Sequence, residues 1–206
     1  MHPEDKAEGA SKQQENVTAT YQPQYSLQLS TEENQIIVLV FPEENYTERL
    51  IGIIKELSQV SIKICYVSLN RPYTSLVENL KKIGVSTANM HFIDGITRTA
   101  KIPVECPECD FVSSPGALTE LSVAISKVME TGEYKVILFD SLSTLLVYES
   151  DTTIAKFVHF MMAKVRVIGC SAIFTCLNQD AESILIKDIN MFADKVIHVE
   201  KWHMGK

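Results

Sequence analysis

Three groupings of side chains in this 206-residue chain are capable of chemistry. The first lies in Tyr134–Leu146 (YKVILFDSLSTLL), where an apolar run ends in Asp140 and the hydroxyls Ser141, Ser143 and Thr144 follow. An acid at the end of an apolar strand can support the shell of a divalent cation beside a phosphate. Asp140 or Ser141 could equally cap the helix that follows. The second grouping is Cys106-Pro107-Glu108-Cys109. This C-x-x-C is half of a tetrahedral zinc site, or a redox pair if it opens a helix, or an inert pair. Cys65, Cys170 and Cys176 lie in or beside apolar stretches, where packing is the expected role. The third is a set of acids, Glu43, Glu44, Asp94, Asp140 and Asp180, with Arg71 and Arg98 as the nearby cations. They read as a solvated acidic rim, or as a site for a divalent cation or a basic partner segment.

Regular elements must position these groups, and the hydrophobic pattern supplies them. Gln35–Phe41 (QIIVLVF) is a continuous apolar run, as expected of a strand buried on both faces. A helix follows over about 46–58, with Leu50, Ile51, Ile54 and Leu57 on one face. Ile62–Leu69 is the next strand. Pro72 opens a helix carrying Leu76, Val77, Leu80 and Ile83, which ends at Gly84. Met90–Ile93 is a short strand and 96–116 reads as irregular. Leu118, Leu121, Ile125 and Val128 mark a helix ending at Gly132, and Tyr134–Phe139 is a strand. Ile154, Phe157, Val158, Met161, Met162 and Val165 stripe a long helix. Ser171–Leu177 is a strand, 181–192 a helix and Lys195–Val199 the last strand. Alternating strands and helices predict an α/β, three-layer fold with a mainly parallel sheet. In such sheets function sits at the carboxyl ends of the strands. Those ends are Phe41–Tyr46, Leu69–Arg71, Asp94–Gly95, Asp140–Ser143 and Leu177–Asp180.

Five phrases then occur in order: YVSLNRPY (66–73), HFIDGITR (91–98), SSPGALTELSVAIS (113–126), FDSLSTLLVY (139–148) and FADKVIHVE (192–200). Together they resemble the RecA-like P-loop ATPase domain in its KaiC-like branch, in particular a degenerate group typical of archaea. The resemblance covers about residues 34–200. It implies a RecA-type core in which the 171–177 strand lies between the first strand and the Asp140 strand, and it makes Asp140 the Walker B acid.

The functional residues depart from that family. Its ATPases carry GxxxxGK[ST] after the first strand, where backbone amides cradle phosphates, the Lys reaches them and the hydroxyl meets Mg²⁺. Here the place reads Phe41-Pro42-Glu43-Glu44-Asn45-Tyr46-Thr47, without Gly or Lys. Pro42 removes a backbone donor. A carboxylate about 5 Å from a phosphate charge costs roughly 3 kcal/mol at an effective dielectric of about 20. Thr47 alone could stand in for the Mg²⁺ hydroxyl, and Thr47, Asp140 and Ser141 are the vestigial nucleotide-binding candidates. The catalytic Glu pair of active relatives is replaced by Asn70 and Arg71, neither of which is a general base at neutral pH. ATP with Mg²⁺ is therefore disfavoured as a cofactor, none is expected, and zinc would have to use Cys106 and Cys109.

Composition narrows the remaining classes. The chain is 46% hydrophobic and 22% charged, as in an ordinary soluble globular protein. Residues 1–33 hold six acids and two lysines, a net −4 of the total −7, and few aliphatics. They read as a disordered or loosely docked polar tail before a 34–206 domain, although Tyr21, Tyr25, Leu27 and Leu29 could add an edge strand. The sequons at Asn16 and Asn45 read as chance, because no secretory signal precedes them. The acidic balance argues against direct nucleic-acid binding. Lys156, His159, Lys164 and Arg166 read as an exposed helix face. No apolar run reaches 18 residues, so no membrane span is expected, and a cytoplasmic location follows. The leading expectation is a non-catalytic domain used for protein interaction or self-association, in regulation or signalling. The alternatives are a nucleotide-binding switch without efficient hydrolysis, an accessory protein of DNA recombination, and a zinc or thiol sensor.

Overall fold

All six residues of strand β1 (Ile36–Phe41) are buried, and alternation decides where each side chain goes. Ile36, Val38 and Val40 enter one apolar cluster, while Ile37, Leu39 and Phe41 enter another. Successive strand residues point to opposite faces, so both faces of the sheet are covered. The computed structural model describes residues 34–59, 62–181 and 183–199. The expectations for residues 1–33 lie outside these.

The elements after β1 are α1 (Tyr46–Gln59), β2 (Lys63–Ser68), α2 (Tyr73–Lys82), β3 (Met90–Asp94), α3 (Thr97–Ala100), β4 (Cys109–Phe111), α4 (Leu118–Glu130), β5 (Tyr134–Asp140), α5 (Leu142–Tyr148), α6 (Asp151–Ile168), β6 (Ser171–Leu177), α7 (Ile184–Phe192) and β7 (Lys195–His198). The strands form one sheet in the order β4-β3-β2-β5-β6-β1-β7, and every pairing is parallel. As the resemblance implies, β6 lies between β1 and β5.

Helices α1 and α2 cover one face through Leu50, Ile54, Leu57, Leu76 and Leu80. Helices α4, α6 and α7 cover the other through Leu121, Ile125, Phe157, Val158, Met161 and Leu185. Full burial of each such side chain contributes about 1.5–3 kcal/mol. Helix α6 starts at Ser150, whose hydroxyl accepts the Thr153 N–H, and ends at Gly169 with φ 83°.

Three readings are corrected. The 96–116 stretch contains α3 and β4; β4 has three residues, too few for alternation to show, and is held by pairing with β3. On α1, Ile53 rather than Ile51 joins Leu50, Ile54 and Leu57 among the buried residues. Ile83 follows the end of α2 and is exposed. No described helix is long and apolar enough to cross a membrane.

Candidate functional site

Strand register and side-chain parity build this site. Ser68 pairs with Asp94 on one side and Asp140 on the other, so β3, β2 and β5 end level. Leu138 and Ile173 face α1 and α2. Two residues on, Asp140 and Thr175 therefore face the same way, as does Tyr66 of β2. Tyr46, the first residue of α1, meets them at the end of β6.

Asp140 is 1% exposed, and its carboxylate is surrounded by donors from this chain. Tyr46 Oη donates to Oδ1 at 2.5 Å and Asn70 Nδ2 donates to the same oxygen at 2.7 Å. Tyr66 Oη donates to Oδ2 at 2.7 Å. The Thr175 hydroxyl lies 2.9 Å from Tyr46 Oη and 3.1 Å from the Phe139 carbonyl, so its one proton can serve either. Thr144 Oγ1 donates to Asn70 Oδ1, which fixes the amide with its NH₂ toward Asp140. Buried polar atoms without partners cost about 1–3 kcal/mol each, and this network leaves none of these carboxylate oxygens unpaired. Burial first, and then the charge and hydrogen bond of Asp140, push both tyrosines well above the ordinary phenol value.

The segment before α1 makes a tight turn in which Asn45 takes φ 62°. Pro42 is half-buried, whereas Glu43 and Glu44 are exposed. Thr47 does not meet Asp140; its hydroxyl accepts from Arg71 Nη2. The Arg71 carbonyl accepts from Ser68 Oγ at 2.6 Å, and the Asp140 carbonyl accepts the Leu69 N–H at 2.8 Å. Ser141 caps α5, accepting the Thr144 N–H at 3.3 Å. Asp140, Asn70 and Tyr46 thus come together, Thr47 and Arg71 form a pair of their own, and Ser141 both caps the next helix and bonds the Tyr46 hydroxyl. Tyr66 and Thr175 escaped the sequence reading. Their signal was a hydroxyl on or beside a strand with no room for water, which must find a partner.

The other acids do not join this group. Asp94 is fully buried and closes its own loop: Oδ1 accepts from Ile96 N and Thr97 N, Oδ2 from Tyr73 N and Thr97 Oγ1. Arg98 faces Glu105 at 3.7 Å, not the acids at the sheet ends. Among the described residues, no group of three or more His, Cys, Asp and Glu is gathered closely enough to hold a metal ion. The α6 face is only partly solvated. Lys164 pairs with Glu130 at 2.9 Å, Arg166 with Asp194 at 3.1 Å, and His159 stacks edge-on with Phe192.

Cys106 and Cys109 flank a two-residue turn, joined by an isolated antiparallel bridge and by Cys109 N donating to Cys106 O at 3.3 Å. They do not open a helix. Cys109 is buried, and burial followed by the nearby Asp94 charge raises its thiol above the ordinary range. His91 lies at Asp110 Oδ2, 3.0 Å away. Cys65, Cys170 and Cys176 are buried, in keeping with packing roles.

A seven-stranded parallel sheet in this order, covered by helices on both faces, is a RecA-like α/β fold. It is similar to the crystal structure of the KaiC-like protein PH0186 from the hyperthermophilic archaeon Pyrococcus horikoshii OT3, with a TM-score of 0.61 over 84% of this chain and 76% of that one, at 13% identity. The chain belongs to the family of unknown function DUF7504, whose model matches residues 48–199. Comparison with curated proteins gave no match.

Proposed function

We propose that this chain is a non-catalytic RecA/KaiC-like domain of the degenerate archaeal type, acting in the cytoplasm as a protein-interaction module in regulation or signalling. The observation that carries the reading is the occupation of Asp140. Its oxygens take three donors from Tyr46, Tyr66 and Asn70. A magnesium shell would have to displace them at a buried carboxylate. The residues present do not fit magnesium–ATP in other respects either. The 41–47 segment lacks the glycines and lysine that hold phosphates, and Thr47 is engaged by Arg71. Because Glu43 and Glu44 are exposed, solvent screens their repulsion below the roughly 3 kcal/mol of a less exposed pair. The weight therefore shifts from those charges to the side chains packed on Asp140.

Exposed apolar side chains on α6 and α7 support a role in protein contact. Phe160, Val167, Met191 and Phe192 are all half or more exposed. Apolar surface of this kind is commoner at sites of association than elsewhere. A phosphate-release assay with ATP and Mg²⁺ tests the reading. No release above the buffer rate is expected; release that disappears in Asp140→Ala would overturn it.

A further inference from the structure

We propose that Cys106 and Cys109 form a reversible dithiol–disulfide couple in the turn between α3 and β4. Residues paired across an antiparallel bridge carry their side chains on the same face, with Cα atoms about 4.5–5.5 Å apart. That span lies inside the roughly 4.4–6.8 Å at which a disulfide closes without backbone movement. The Cys106–Cys109 bridge places the two thiols in this relation, and both are free. They also differ in access: Cys106 is half-buried beside the exposed Pro107 and Glu108, whereas Cys109 is buried. The other three cysteines are buried on or beside β2 and β6, and the pairing does not involve them.

The surroundings favour the oxidised form over a thiolate. A dithiol becomes a strong oxidant as a disulfide when its thiolate is stabilised. Here burial, and then the carboxylates of Asp94 and Asp110, raise the Cys109 thiol. The Cys109 thiolate is therefore disfavoured on balance, and the disulfide is the more persistent form once made. The oxidant is a small-molecule disulfide. Cys106 Sγ loses its proton to water and attacks one sulfur of that disulfide, whose S–S bond breaks and releases one thiol. Cys109 Sγ then loses its proton and attacks Cys106 Sγ, and the mixed disulfide breaks to release the second thiol. Two cysteine thiols are oxidised by two electrons and one disulfide is reduced to two thiols. The closed ring spans only four residues, so its effect on global stability is small and its effect is local. The local neighbour is Tyr73, which packs on Phe92 and Phe111 and whose hydroxyl hydrogen-bonds with Cys106.

The couple stands independently of the function proposed above. The test equilibrates the full chain in glutathione buffers of rising disulfide fraction, quenches in acid, unfolds, alkylates with iodoacetamide and weighs the intact protein. The chain has five cysteines. The expected result is conversion from a five-adduct species to a three-adduct species carrying no glutathione, with the bond mapped to the peptide holding Cys106 and Cys109. Cys106→Ser and Cys109→Ser should each keep every remaining alkylation site free of intramolecular bonding. Five adducts at every poise, a stable glutathione adduct, or a bond mapped to Cys65, Cys170 or Cys176 would overturn the proposal.

Discussion

Replacing Tyr46 by Phe removes one oxygen from the centre of the site and little else. The ring keeps its edge-on contact with Phe41, at 5.0 Å between centroids. What is lost is the 2.5 Å donation to Asp140 Oδ1, leaving the buried carboxylate with Asn70 and Tyr66 as donors. Thr175 loses a neighbour but keeps the Phe139 carbonyl as acceptor. A hydrogen bond to a charged group is worth about 1.5–3 kcal/mol, so Tyr46→Phe should destabilise the fold by about 2 kcal/mol. For a chain of this size that is a fall in Tm of about 4–8 °C. Urea denaturation is the assay, and the midpoint should move with the m-value unchanged. Tyr66→Phe should cost a similar amount. The double variant should depart from additivity, because both hydroxyls serve one carboxylate. A Tyr46→Phe protein within about 0.5 kcal/mol of the parent would refute the network, since surface substitutions reach that size without any such contact.

Three further outcomes follow. Tyr46 and Tyr66 are held well above their ordinary value of 10.0, so the folded state keeps them protonated where the unfolded chain ionises. Their contribution is complete below about pH 10 and is lost as pH rises, so stability should fall in alkali and two tyrosines should ionise, by absorbance at 295 nm, only on unfolding. Asp94→Ala strands the N–H groups of Tyr73, Ile96 and Thr97, and urea midpoints should report a loss of about 3 kcal/mol or more. Burial tends to raise Asp194, but the Ile36 N–H and Arg166 outweigh it and leave it below 3.8. That stability is present above about pH 4 and lost as pH falls through the folded value. Arg166→Ala should therefore be less stable than the parent at neutral pH, and the gap should narrow in strong acid, where only the bond from Arg166 to the Phe192 carbonyl remains, by thermal melts across pH.

Most of the fold was legible because burial on both faces leaves a plain mark. QIIVLVF reads as a central strand, and in the structure all of Ile36–Phe41 is buried. The Phe157–Met161–Val165 stripe likewise reads as one covered helix face, and all three are buried. What failed was short or set by distant contacts. Strand β4 exists because β3 offers it a register, and three residues carry no period of their own. At the site, the sequence showed which residues were missing from a phosphate loop, and Asp140 stood out as the strand-end acid. It did not show what covers that acid. Tyr46 and Asp140 are 94 residues apart in the chain and Tyr66 and Asp140 are 74, so only the strand order brings them together. Asp94 and Asp140 both end apolar strands, yet one takes backbone N–H groups from its own loop and the start of α2, and the other gathers side chains from α1, β2 and the loop after β2.

Calorimetric titration of the full chain with ATP in excess Mg²⁺ tests the central claim most directly. If Tyr46, Tyr66 and Asn70 occupy the Asp140 carboxylate in solution, no saturable heat should appear up to millimolar ATP, and Tyr46→Phe should not create binding on its own because the phosphate loop is still missing. A micromolar dissociation constant that depends on Mg²⁺ and is abolished by Asp140→Ala would contradict the account.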